Sequence, residues 1–140
     1  MRYLDRLQPF ALLVPRLVLG AIMIAHGYSK VFGGLSHHAQ FVSSLGLPPW
    51  LAYFSAAAEF LGGIAVIVGL LTRLAAFGIV IDLGVAIAKV HWKNGFTGNG
   101  NYQFPLALAA IAFALIFFGA GPIALDNLRG GGGGGKKKAV

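Results

Sequence analysis

Cysteine is absent from the 140-residue chain. Its absence excludes disulfides, thiolate nucleophiles, iron–sulfur ligation and cysteine zinc sites, and leaves the redox compartment undetermined. Charge is nearly as scarce. Only 11% of the residues are charged, against about 25% in a soluble domain, so polar groups cannot cover a surface facing water. The acidic side chains are Asp5, Glu59, Asp82 and Asp126. Neither an HExxH helix nor a nucleophile elbow occurs. The glycine pairs at 33–34 and 62–63 lack the lysine and the strand–turn–helix setting of a phosphate loop. Hydrolytic chemistry of the soluble type therefore has no residues to carry it. What remains is 57% hydrophobic, with a mean hydropathy of +0.77, the composition of an all-α polytopic membrane protein.

Four apolar runs are long enough to cross a bilayer: about 10–32, 50–71, 74–92 and 103–119. Turn-forming residues separate them: Gly33-Gly34, Leu47-Pro48-Pro49, the Asn/Gly-rich stretch 94–101, and Gly119-Ala120-Gly121-Pro122. Backbone polar groups must bond internally in hydrocarbon, so the runs are expected to be helices. The short Leu71-Thr72-Arg73 junction makes the middle pair an antiparallel hairpin. An up-and-down bundle of four transmembrane helices follows, a single domain over 1–128 with a flexible Gly/Lys tail at 129–140. Arg16 interrupts the first run and no small-residue cleavage site precedes Gly27, so that run is expected to stay as a span.

The net charge is +7 and the pI about 10.2. The basic residues flank the apolar runs, which reads as membrane topology and lipid contact, with no nucleic-acid surface. Arg2, Arg6, Arg73, Arg129 and Lys136, Lys137, Lys138 fall on one side; Lys30, Lys89 and Lys93 fall on the other. The richer side is cytoplasmic by the positive-inside rule, which places both termini there. Lys136, Lys137 and Lys138 are expected to meet anionic lipid or simply to be solvated.

Inside the runs lie Arg16, Glu59 and Asp82. Each costs about 2.5–3.5 kcal/mol at a helix centre, so all are expected to face inward, with Arg16 bonded to one or both carboxylates. The stripes Arg16-Gly20-Met23-Gly27-Lys30, Ser55-Glu59-Gly62-Gly63-Val66 and Asp82-Ala86-Lys89-Lys93 set small residues beside polar ones, as packed membrane helices do. The candidate polar cluster is Arg16, His26, Lys30, Glu59, Asp82 and His91. It reads either as a proton or ligand site or as a lock that specifies packing. His26 and His91 stand near the outer face, where they either hold a haem, a metal or a quinone carbonyl or bond to backbone and water. No metal-ligand spacing singles out the first option, and no metal is expected. His37 and His38 read as solvated. Trp50, Tyr53, Trp92 and Tyr102 read as an interfacial belt.

The segments RLVLGAIMIAHGYSKVFGG (16–34), LGLPP (45–49), AAAEFLGGIAVIVGLLTRLAA (56–76), VHWKNGF (90–96) and GAGPIALD (119–126) together resemble the DoxX family of small bacterial membrane proteins. The resemblance covers about 13–128. It implies four spans, the bacterial inner membrane, and association with redox or quinone-linked membrane complexes. Arg16, His26, Gly27, Lys30, Glu59, Gly63, Arg73, His91 and Asp126 match its recurring positions; Asp82 and the tail do not. The expected function is an integral membrane subunit of a redox or quinone-linked assembly, in which Glu59, Arg16 and His91 form a polar pocket open to the outer leaflet and other membrane subunits are partners. The alternative is a structural accessory subunit of a respiratory or photosynthetic complex, without chemistry of its own. A proton or small-solute pathway ranks last, since only Glu59 and Asp82 argue for it.

Overall fold

The structure is a computed structural model describing residues 2–129, with backbone only at 128 and 129. Met1 and the tail with Lys136, Lys137 and Lys138 lie outside the described residues, as does the side chain of Arg129.

Short helices α1 (Arg2–Arg6) and α2 (Gln8–Ala11) lead into α3 (Leu13–Gly33). Next come α4 (Leu35–Ser44), α5 (Trp50–Val68), and α6 (Thr72–Ala86), which runs on as a π turn (Ile87–His91) and a 3-10 turn (Trp92–Asn94). Helices α7 (Gln103–Phe118) and α8 (Leu125–Arg129) complete the fold. Three apolar stretches, Gln8–Gly33, Trp50–Val68 and Thr72–Asn94, are long enough to cross a membrane, and α7 is a shorter apolar helix. The segment after Gly34, expected as an outer loop, is the helix α4. Its Leu35, His38, Val42 and Leu45 recur at helical spacing, so it turns one face inward.

Helix α3 packs most closely on α5 and α6 on α7; α5 joins the two pairs, and α7 touches α3 only lightly. The α3–α5 contact is backbone to backbone. A Cβ on Gly20 would stand 2.7 Å from Gly63 O, one on Gly63 2.8 Å from Gly20 O, and one on Gly27 2.8 Å from Phe60 Cα. Only glycine permits that approach, the geometry of small-residue helix interfaces in membranes. The same pairs show the two helices to be antiparallel. Leu19, Met23, Val66, Ile79, Leu83, Leu108 and Leu115 fill the space between the four long helices. Phe77, Phe104, Phe113, Phe117 and other large apolar side chains face outward, as a lipid-facing surface requires.

Helices α5 and α7 both end at the same pole of the bundle, and an arginine meets each end. Arg16, 1% exposed, donates from Nε to Val66 O (2.9 Å) and from Nη2 to Ile67 O (2.8 Å). From Nη1 it donates to Ala120 O (3.0 Å) and Ile123 O (2.6 Å) beyond α7. Arg73 donates to Ile116 O (3.0 Å) and Phe117 O (2.8 Å). The last carbonyls of a helix lack intrahelical partners and carry its negative dipole end, so a cationic fork suits them. Arg16 therefore bonds four backbone carbonyls and neither carboxylate, contrary to the expectation from sequence. Antiparallel packing sets this partner choice: Arg16 falls opposite Val66, and Glu59 lies seven residues earlier on α5, roughly 10 Å along the axis.

The α5–α6 turn is held from the far end of the chain. Gly69 (φ 73°) and Leu71 (φ 51°) are both left-handed. Asp126 accepts from Leu71 N (2.6 Å) and Thr72 N (3.0 Å), while its own N donates to Gly69 O (2.8 Å). The carboxylate thus serves as the N-terminal cap that α6's own N-cap residue, Leu71, does not supply.

Candidate functional site

At the opposite pole, the end of α3, one face of α4, the first half of α5 and the second half of α6 with its π turn enclose a cavity of about 260 Å³. This lies just below the ~300 Å³ at which small-molecule pockets usually begin, enough for one ring. Phe41, Val42, Leu45, Leu51, Phe54, Ile81 and Val85 make the walls apolar; Lys30, His38, Ser55, Glu59, Asp82, Lys89 and His91 supply the polar groups.

Lys30 Nζ bonds Glu59 Oε1 at 2.6 Å, with the two side chains 25% and 8% exposed. Lys30 follows Gly27 by three residues, so its long stem runs past the glycine contact and places the ammonium on α5. Asp82, 7% exposed, stands beside Glu59 and Ser55. Glu59 Oε2, Asp82 Oδ2 and His38 Nε2 are buried without hydrogen-bond partners. Buried polar atoms without partners are uncommon, and three of them belong to side chains lining one cavity. Such an arrangement offers a ligand two acceptor oxygens, an ammonium and an imidazole nitrogen within a mostly apolar cleft.

The six candidate residues therefore part into three places. Lys30, Glu59, Asp82 and His91 line the cavity, Arg16 locks the other pole, and His26 is exposed. His26 Nδ1 bonds Ile22 O of its own helix (2.9 Å) and its ring lies 6.1 Å from that of Phe104. It does not line the cavity that His91 lines. His91 Nδ1 is bonded to Gly100 O (2.8 Å), which ties the π turn to the loop before α7. Among the described residues no group of three His, Cys, Asp or Glu side chains could hold a metal ion. His38, read from sequence as solvated, instead lines the cavity, whereas His37 is exposed. The signal that finds it is the 3–4–3 spacing of Leu35, His38, Val42 and Leu45. Burial first, and Lys30's charge second, hold the His38 imidazole below its ordinary pKa; Asp82 opposes them.

Fold and cavity together define an all-α membrane protein with a largely apolar cavity, set with a few polar side chains, between its helices. Residues 11–92 match the DoxX family, and the chain belongs to it. It is 40% identical to the Bacillus subtilis protein named "Putative oxidoreductase CatD" over 81% of this chain and 83% of that one. It is 31% identical to an uncharacterized protein of Haemophilus influenzae, over 91% of this chain and 96% of the relative. It is also 29% identical to the Escherichia coli "Inner membrane protein YqjF", over 89% and 96%. No solved structure matches the chain.

Proposed function

We propose that this protein is the integral membrane subunit of a redox assembly and that its cavity receives a quinone-type ring. The observation that carries the reading is the apolar cavity with the Lys30–Glu59 pair and Asp82 as its polar lining. The oxidoreductase in the name of the B. subtilis relative supports it. When bound, such a ring supplies two-electron, two-proton chemistry. The chain's own part is to hold the ring against Phe41, Leu51, Phe54 and Val85, with Lys30 Nζ donating to a ring oxygen and the free oxygens of Glu59 and Asp82 accepting from the hydroxyls of its reduced state. These carboxyl groups would also accept the protons that such a ring releases on oxidation. The polar pocket first read as Arg16, Glu59 and His91 becomes Lys30, Glu59, Asp82, His38 and His91, because Arg16 is committed elsewhere.

The location that goes with this reading is the bacterial inner membrane, as in the name of the E. coli relative. Both termini face the cytoplasm, and the cavity opens toward the outer leaflet, following the Lys/Arg distribution. The test is to purify the assembly from its native membrane and measure quinone content and turnover with Glu59→Gln. Loss of bound quinone together with a fall in turnover of about tenfold or more supports the reading. Unchanged quinone content and turnover overturn it. Deletion that destabilises the assembly with specific activity preserved would favour the accessory subunit, a reading supported by Arg16, a buried charge engaged entirely in architecture.

A further inference from the structure

We propose that, of the two redox states of such a ring, the cavity is built to take the reduced, hydroxyl-bearing one, a diphenol, in preference to the quinone. The inference rests on the reading that a quinone-type ring binds here, and deepens it.

The buried polar atoms of the cavity are weighted toward acceptors. Lys30, the one cation paired inside the chamber, already spends a donor on Glu59 Oε1 at 2.6 Å. The buried atoms left over are Glu59 Oε2, Asp82 Oδ2 and His38 Nε2. Two of the three are carboxyl oxygens, and a carboxyl oxygen that carries no proton only accepts. Asp82 stands beside Glu59, so these two groups form one electron-rich patch. A quinone presents only carbonyl lone pairs to that patch, where like-signed partial charges meet. A diphenol presents hydroxyl hydrogens, whose bonds to carboxylate oxygen belong to the stronger, charge-assisted class. The walls do not discriminate, because Phe41, Leu51, Phe54 and Val85 meet the flat ring equally well in both states. Selection between the two states therefore falls to Glu59 Oε2 and Asp82 Oδ2. The remaining titratable groups facing the ligand are Lys30, His38, Lys89 and His91. Each of them can donate to a ring oxygen, which both redox states present, so they do not discriminate between the two; Lys89 is also exposed.

The experiment uses the full chain in phosphatidylglycerol nanodiscs and a decyl-substituted para-benzoquinone, measured by calorimetric titration in its oxidised form and, anaerobically, in its reduced form. The reduced form is expected to bind about tenfold tighter or more, the discrimination of roughly one charge-assisted hydrogen bond. Asp82→Asn and Glu59→Gln, each replacing an acceptor oxygen by an amide donor, are expected to remove most of that preference, chiefly by weakening the reduced form. Equal binding of the two forms, or tighter binding of the quinone, by the unmodified chain overturns the proposal and leaves the quinone-site reading standing. Failure of both forms to bind overturns the site reading as well, and binding of a decylammonium ion in their place would assign the acidic patch to a cation. The comparison on the unmodified chain decides the matter even where a variant does not fold.

Discussion

At the residue scale, the arginine and the lysine on α3 do different work. Arg16→Ala frees four carbonyls at the α5 and post-α7 ends and leaves a hole where a 1%-exposed side chain stood. It is expected to destabilise the protein by about 3 kcal/mol or more, as loss of several buried charge-assisted bonds does. Arg16→Lys keeps the charge without the fork and should recover only part of that; thermal unfolding in detergent checks both. Lys30→Met leaves Glu59 buried opposite an apolar chain. It should destabilise more when made alone than in the Lys30→Met/Glu59→Gln double variant, with a coupling of about 1–3 kcal/mol in a double-mutant cycle. Additive effects would show that the 2.6 Å pair contributes no coupling. Glu59 was legible in the sequence as an inward-facing charge and Lys30 as a member of the same candidate cluster. Their pairing was not, because partner choice depends on the antiparallel register of α3 and α5, which the close approach of Gly20 to Gly63 and of Gly27 to Phe60 decides.

At the scale of elements, α4 and the α5–α6 turn depend on contacts distant in sequence. The stretch Leu35–Ser44 has too few apolar residues to stand out by hydropathy, which is why it reads as a loop. It becomes a helix against the cavity because its inward residues, His38 among them, meet α5. His38's lowered pKa gives this element a pH dependence with a definite sign. Between that lowered value and the ordinary imidazole value of about 6.5, the unfolded segment binds more proton than the folded one. Stability therefore falls as pH drops through the window and is flat above it. Hydrogen exchange of α4 amides at about pH 8 and about pH 5, corrected for intrinsic rates, should show easier opening at the acid end, and His38→Gln should flatten the difference. The turn gives a second expectation. Asp126→Ala removes the acceptor for Leu71 N and Thr72 N, and should cost about 0.5–2 kcal/mol, the usual range for a lost N-terminal cap, read as a shift in thermal midpoint.

At the scale of the whole molecule, hydrocarbon as solvent made the architecture readable. Runs of apolar residues of sufficient length can only be helices there, and the Leu71-Thr72-Arg73 junction had no length to be anything but a hairpin turn. The sequence does not display which end of the bundle would hold the chamber. Arg16 and Glu59 look alike as buried charges until three dimensions separate a joint from a cavity. His91 reaches the cavity wall only because α6 relaxes into a π turn, a local widening that frequently accompanies functional sites. Substituting Gly63→Leu would force α3 away from α5 and is expected to disturb both poles at once, lowering the thermal midpoint and abolishing ligand binding together.

Helix α7 has sixteen residues, a length of roughly 24 Å, against a hydrocarbon layer near 30 Å. A crossing by that helix alone would require the lipids beside it to compress, at fractions of a kcal/mol per Å of mismatch, leaving a dimple on one flank. A neighbour with an equally short flank would relieve the same distortion by standing next to it, and the greasy side would then have a directional preference for company.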